Sequence, residues 1–309
     1  MLSVIMSIFN SAEYLEQAIR SVLEQTYKKF EFLIIDDGST DNSLEIAQRY
    51  AKHHKRIRVI SHENWGACES LNAAAEQARG DWLFRMDPDD LMLPTRLERQ
   101  LAFLRENPDL AVASSLAYLI DSEGRQIGRS RSPYITRQVV AATVAGRELI
   151  GFHHPAVAMK KSVFQSVGGY RKQYWLAEDL DLWNRIAEKG HMLLVQPEYL
   201  IKYRVHSGSV SIASGRRQVQ IIDWVEDSKN RRRAGEPELT FEEFLAQRGK
   251  QPWTSRLNER RKTCARTLYK AAIQHYSLRN YYQFVPELAA ALVLEPDLVL
   301  PRVWPRLAG

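Results

Sequence analysis

The stretch Trp82-Leu-Phe-Arg-Met-Asp-Pro-Asp-Asp90 closes a short apolar run with two aspartates one residue apart, Asp87 and Asp89. In extended backbone, residues two apart project to the same side. Two carboxylates placed that way at a strand's end can jointly hold a hard divalent cation, which takes oxygen ligands and commonly shares them with a diphosphate. The same residues can also form a solvated loop that caps the next helix, so the surroundings of the motif have to decide.

Those surroundings alternate strand and helix signals. Leu2–Ile8 reads as a strand, and Leu15, Ile19, Val22 and Leu23 then recur at helical spacing. Phe30–Ile35 is a second strand, followed by the turn Asp36-Asp-Gly-Ser-Thr-Asp41, after which Asn42 and Glu45 predict a capping box. Arg58–Ile60 is a third strand. Ala67–Arg79 reads as a helix stopped by Gly80, and Trp82–Met86 as the fourth strand. Pro94 opens a helix carrying Leu97, Leu101 and Leu104. The alternation predicts an α/β fold, a mostly parallel sheet with helices on both faces. Ligands of such sheets bind beyond the carboxyl ends of the strands, where Asp36-Asp37 and Asp87/Asp89 both fall, so one cleft is expected to hold them.

After Leu110 the pattern changes. Leu110–Leu119 is a strand candidate, Asp121-Ser-Glu-Gly124 a hairpin turn and Pro155–Met159 a short strand. Leu180, Trp183, Ile186 and Ala187 define a helix face, and Leu193–Val195 and Tyr199–Val205 are the last two strand candidates. Beyond about Gly215 strand signals vanish and helical ones continue. The expected organisation is a domain over 1–214 in two halves, about 1–110 and 111–214, with a helical extension over 215–309.

Bulk properties narrow the class further. The 309 residues are 45% hydrophobic, which suits one large folded domain with an appendage. Cys68 and Cys264 stand alone, so no disulfide framework or zinc knuckle is expected, in keeping with a reducing compartment. The net charge of +6 is concentrated late, around Arg216-Arg217, Arg231-Arg232-Arg233 and Arg260-Arg261-Lys262. Such clusters suit either a solvated surface or an anionic membrane. Aromatics are not interleaved with them, which sets nucleic acid aside. The chain opens on a strand-like segment instead of a secretory leader, and Leu288–Leu300 is broken by Glu295, Pro296 and Asp297. The expectation is a cytoplasmic protein, in peripheral contact with the inner face of the plasma membrane or self-associating through its C-terminal helices.

Several segments, in order, resemble the inverting nucleotide-sugar enzymes of glycosyltransferase family 2, which have the GT-A fold. They are Val4–Asn10, Ser21–Thr26, Asp36–Asp41, Asn64-Trp-Gly66 with Asn72, Met86–Asp90, His154-Pro155, Gly168-Gly-Tyr170, Glu178–Trp183 and Arg204-Val-His206. The resemblance covers roughly residues 1–212 and leaves the last hundred outside.

It implies a role for each matching residue. Asp37 would read the base, commonly uracil, and Ser7, Asn64 and Gly66 would border the nucleotide. Asp89 would ligate Mn²⁺ or Mg²⁺, with Asp87 on the ribose or the metal's water shell, and His206 is a further metal-ligand candidate. Asp179 would be the base that takes the acceptor hydroxyl's proton. Its position at a helix N-terminus is compatible with that role, because the dipole there favours the anion. His154, Trp175 and Glu178 are expected near the acceptor. Each assignment has a plainer competitor: a turn for Asp37, first-turn acids for Glu178 and Asp179, a loop histidine for His206, and core packing for Trp175 and Tyr174.

The function implied is metal-dependent, inverting transfer of a hexosyl or N-acetylhexosaminyl group from a UDP-sugar to a hydroxyl of a glycan or lipid-linked acceptor in polysaccharide or cell-envelope assembly. The alternatives are an inactive nucleotide-sugar-binding module and a sugar nucleotidyltransferase. The latter needs a Gly-rich, Arg-containing loop where this chain has Phe9-Asn-Ser-Ala12. An aspartyl phosphatase would carry its D-x-D after the first strand rather than the fourth.

Overall fold

A computed structural model of the chain describes residues 1–146, 148–206, 215–277 and 280–300. It divides into two compact units, one of residues 1–120 and 128–204, the other of 121–127 with 205–309. The first holds the sheet, and the described part of the second is largely helical.

The strands are β1 (Leu2–Ile8), β2 (Phe30–Asp36), β3 (Ile57–Ser61), β4 (Trp82–Arg85), β5 (Leu91–Met92), β6 (Leu110–Ile120), β7 (Gln126–Arg129), β8 (Ala158–Lys160) and β9 (Met192–Arg204). Their order along the sheet is β3-β2-β1-β4-β8-β6-β9-β5, with β7 off that row. The helices of the first unit are α1 (Ala12–Leu23), α2 (Ser43–His53), α3 (Ala67–Gln77), α4 (Arg96–Glu106), α5 (Arg137–Ala145), α6 (Lys161–Ser166) and α7 (Glu178–Glu188). β1, β2 and β4 are near-continuous apolar runs because helices cover both faces of that half of the sheet.

β1 lies parallel between β2 and β4, with Leu2 opposite both Phe30 and Trp82. That register ends Ile8 beside Asp36 and delivers the segment after Arg85 to the same edge. The other half is mixed: β8 runs antiparallel to β4 and β6, while β6 and β9 are parallel. The expected pair of strands 193–195 and 199–205 is one strand, β9. Its register against β6 jumps from Gln196 to Tyr199, and this bulge takes up Pro197, which has no N–H for the ladder.

Two local expectations fail for physical reasons. Asn42 makes no capping bond; the Asp41 carboxylate instead accepts from Ser43 N–H at 2.9 Å and Ala12 N–H at 3.0 Å, tying the turn after β2 to the start of α1. Gly80 does not cap α3, which ends at Gln77. A Cβ at Gly80 would lie 2.5 Å from the Leu2 backbone, so glycine is needed there for close approach to β1.

In the second unit are α8 (Gly215–Ala234), α9 (Phe241–Lys250), α10 (Trp253–Ser277) and α11 (Tyr281–Leu294). Thr240 and Glu243 form a full capping box at α9. Asp223 on α8 accepts from Arg248 at 3.0 Å and Arg266 at 2.7 Å. Arg231, Arg232 and Arg261 also pair with acids of this unit, so part of the basic clustering is internal.

Candidate active site

The carboxyl ends of β1, β2 and β4 bring the acidic motifs to one edge of the first unit. Asp36 is buried and structural. It accepts from Ser39 N–H at 3.3 Å and the Ser61 hydroxyl at 2.8 Å, pinning the turn to β3. Asp37 accepts from Trp65 N–H at 2.8 Å and Gly66 N–H at 3.1 Å, so it holds the loop from β3 to α3. A carboxylate has about four lone-pair directions, and these bonds leave capacity for a further donor. Gly38 (φ +74°) and Gly66 (φ +97°) both need positive φ, and a Cβ on Gly38 would lie 2.8 Å from Asn64 N. Asn64 is exposed on this loop, and Ser7 is half-buried at the end of β1. The Trp65 ring stacks on His62 at 3.8 Å with its other side largely open. The Asn72 amide on α3 clamps the Tyr170 backbone with two bonds of 2.8 Å.

Beyond β4, Asp87, Asp89 and Asp90 each offer one oxygen within 4.8 Å of the others. Asp87 is paired with the buried Arg85, which also donates to the Met86 carbonyl. Burial pushes the Asp87 carboxyl up, against the pull of Arg85 and with the push of Asp89. Asp90 is fully enclosed, and burial first, then Asp89 and Asp87, raise its carboxyl well above the usual range. His206 belongs to the second unit, and the trio contains no histidine.

Glu178 and Asp179 open α7, where their fields reach the acidic loop. Burial raises Asp179 to about 6, with the charge of Asp87 adding to the rise and that of Arg85 opposing it. Burial and then Asp179 raise Glu178 to about 7. One Glu178 oxygen accepts from Leu176 N–H at 2.9 Å and steadies a leucine held at φ +89°, an unusual backbone state directly before the helix. Asp181 is a structural residue, wholly buried and shared by Arg171 and Arg185. Trp175 is 47% exposed and free to meet a ligand, whereas Tyr174 is core. His154 is neutral, its pKa lowered by burial and then by Arg85, and its Nε2 lies 2.6 Å from the Tyr170 hydroxyl.

Four residues quoted in the sequence motifs were given no role there: Arg85, Asp90, Tyr170 and Arg204. The legible sign was Arg85 itself, a lone cation inside an apolar strand. Arg204 is buried, and its Nε donates to the Asp89 carbonyl at 2.8 Å.

The whole arrangement can be set beside known proteins. Residues 3–168 match the family described as Glycosyl transferase family 2. This chain belongs to that family. EpsE of Bacillus subtilis (strain 168), provisionally named a glycosyltransferase, is 35% identical over 209 residues, covering 66% of this chain and 73% of EpsE. AmsE of Erwinia amylovora, named an amylovoran biosynthesis glycosyltransferase, is 30% identical over 218 residues, 70% of this chain and 80% of AmsE.

Among solved structures, the mannosyltransferase PcManGT of Pyrobaculum calidifontis, in complex with GDP-Man and Mn²⁺, superposes with TM-score 0.60 at 20% identity, covering 94% of this chain and 86% of that one. S. aureus TarS 1-349 in complex with UDP-GlcNAc gives TM-score 0.60 at 16% identity, covering 95% and 90%. The fold is therefore the GT-A glycosyltransferase fold with a helical C-terminal region. Family 2 membership sets the nucleotidyltransferase and phosphatase readings aside. Among the described residues, no helix is long and apolar enough to cross a membrane.

Proposed function

We propose that this family 2 glycosyltransferase moves a hexosyl or N-acetylhexosaminyl group, with inversion, from a UDP-sugar to a hydroxyl of a glycan or lipid-linked acceptor in polysaccharide or cell-envelope assembly. The observation that carries the proposal is the meeting of two kinds of carboxylate at one sheet edge. The trio after β4 is crowded and part-buried, and Asp179 is raised to about 6 within the field of Asp87. A raised carboxylate near neutral pH is a competent general base.

The trio's hard oxygen donors suit Mn²⁺ or Mg²⁺, and the enclosed Asp90 oxygen without a hydrogen-bond partner supports that reading. Asp87, Asp89 and Asp90 would hold it. A bound cation offsets the charge that develops on a departing diphosphate. Asp37 would accept the base N–H, while Ser7, Asn64 and Gly66 line the same edge. Asp179 takes the acceptor O–H proton, the acceptor oxygen bonds to the anomeric carbon, and the bond from that carbon to the diphosphate oxygen breaks with its electron pair leaving on the nucleotide. Glu178 holds the Leu176 turn that sets Asp179 at the helix start, with Trp175 and His154 toward the acceptor. The UDP preference draws support from the TarS complex and the Mn²⁺ from the PcManGT complex, each a statement about that protein.

The test is UDP release from a panel of UDP- and GDP-sugars with Mn²⁺, followed by assignment of the product's anomeric configuration. Release from UDP-sugars and a configuration opposite to the donor's are expected; retention, or a preference for GDP-sugars, overturns that part of the reading. Peripheral membrane contact is proposed on Tyr282, Val293 and Trp253, at 91%, 81% and 71% exposed, in a segment that carries the chain's basic excess. Flotation with vesicles containing anionic lipid tests it, and equal recovery in the soluble fraction with and without vesicles overturns it.

A further inference from the structure

We propose that Asp90 is a direct ligand of the cation, a third carboxylate beyond the D-x-D pair, an inference that rests on the metal-dependent reading above. Asp90 is 1% exposed. Its Oδ1 accepts from the Arg204 backbone N–H at 2.7 Å, which fixes the carboxylate plane, while its Oδ2 is enclosed and has no hydrogen-bond partner. An enclosed carboxylate oxygen without a donor is unfavourable, and two further carboxylates within 4.8 Å make it more so.

The neighbouring buried cations donate to other acceptors, and Arg85 Nε has no partner. The Arg85 guanidinium donates to Asp87 and the Met86 carbonyl. Arg96 donates to Gln100 at 2.9 Å and to the Arg85 carbonyl at 3.0 Å. A divalent cation would satisfy the open Asp90 oxygen and neutralise the cluster together. The surrounding structure holds Asp90 in place for that task. Arg204, itself buried, binds the Asp89 carbonyl through Nε at 2.8 Å and Gln17 through Nη2 at 3.1 Å, with its guanidinium 4.4 Å from the Tyr14 ring. The end of β9 thus grips both halves of the Asp89-Asp90 pair. Arg204 is accordingly a positioning residue, and Asp87, with one oxygen already paired to Arg85, contributes least.

The experiment is an electron paramagnetic resonance titration of free Mn²⁺ against the full chain, with and without UDP, for the parent, Asp90→Asn and Asp89→Asn. Asparagine retains the oxygen that accepts from Arg204 N–H, so the substitution removes the charged oxygen alone. Asp90→Asn is expected to weaken Mn²⁺ binding by about tenfold or more. Binding within about twofold of the parent in Asp90→Asn, with binding lost in Asp89→Asn, overturns the Asp90 assignment and leaves the metal-dependent reading intact. No Mn²⁺ binding by the parent overturns both. If Asp90→Asn fails to fold, parent crystals soaked in Mn²⁺ and UDP decide: a metal within about 2.5 Å of an Asp90 oxygen supports the assignment, and a greater distance overturns it.

Discussion

Arg85 is the buried last residue of β4 and pairs with Asp87, two residues on. Its charge also lowers the pKa of Asp179 and Glu178 across the pocket. Removing a nearby positive charge favours the neutral form of a carboxyl, so Arg85→Gln should move the Asp179 titration upward. The acid limb of the pH profile of kcat/KM is expected to shift to higher pH in Arg85→Gln. A limb unchanged from the parent would show that Arg85 does not tune the base.

Asp179 yields paired predictions for activity and stability. With its carboxyl near 6 and Glu178 near 7, transfer should rise as pH increases through this range and the base loses its proton. Asp179→Asn should lower kcat by about 10²- to 10⁴-fold with donor binding retained. For stability the sign is opposite. The folded state binds this proton more tightly than the unfolded chain, whose carboxyls titrate near 4, so folding stability falls as pH rises from about 4 to 7. Asp179→Asn removes that penalty and should raise Tm at neutral pH without added metal. A lower Tm for Asp179→Asn would contradict the assigned burial.

Much of the first unit could be read from sequence because β1, β2 and β4 are apolar runs bounded by turn residues, and a parallel sheet places their following loops together. Which neighbours each acid holds could not be read. Asp36, Asp37 and Asp181 look alike in the chain, and only packing shows Asp36 on Ser61, Asp37 on Trp65 and Gly66, and Asp181 between two arginines. Asp90 was hidden for a related reason, since its burial depends on Arg204, distant in sequence and delivered by β9. The strand expected as two pieces, 193–195 and 199–205, is continuous because a bulge in the partner register leaves no local mark in sequence. Ser209 and Ser211, beside His206, lie outside the described residues.

Asp181 is wholly buried between Arg171 and Arg185, and Arg185 also donates to the carbonyls of Val167 and Gly169. This network ties the Gly168-Gly169 turn to α7. Asp181→Ala would remove the carboxylate that the two guanidinium groups share, and breaking a buried pair costs about 3–5 kcal/mol. The urea midpoint should fall accordingly with an unchanged slope. A loss under about 1 kcal/mol would mean that water reaches the arginines and the pair behaves as a surface one.

Gly38 allows a final, local test of the nucleotide edge. Its φ of +74° disfavours any Cβ, and a Cβ there would also stand 2.8 Å from Asn64 N. The second effect matters for binding, because Asn64 begins the segment whose Trp65 and Gly66 N–H groups Asp37 holds. Gly38→Ala should push that segment away from the turn and weaken UDP binding, with a stability loss of about 1–3 kcal/mol from the backbone strain. Gly190→Ala separates the two effects: it has a similar φ of +82° but nothing within 4 Å of its added Cβ. Gly38→Ala should therefore lose more stability than Gly190→Ala, and UDP affinity measured by calorimetry should fall in Gly38→Ala alone. Equal affinity in both variants would show that the packing of Asn64 against the Asp37 turn does not shape the nucleotide site.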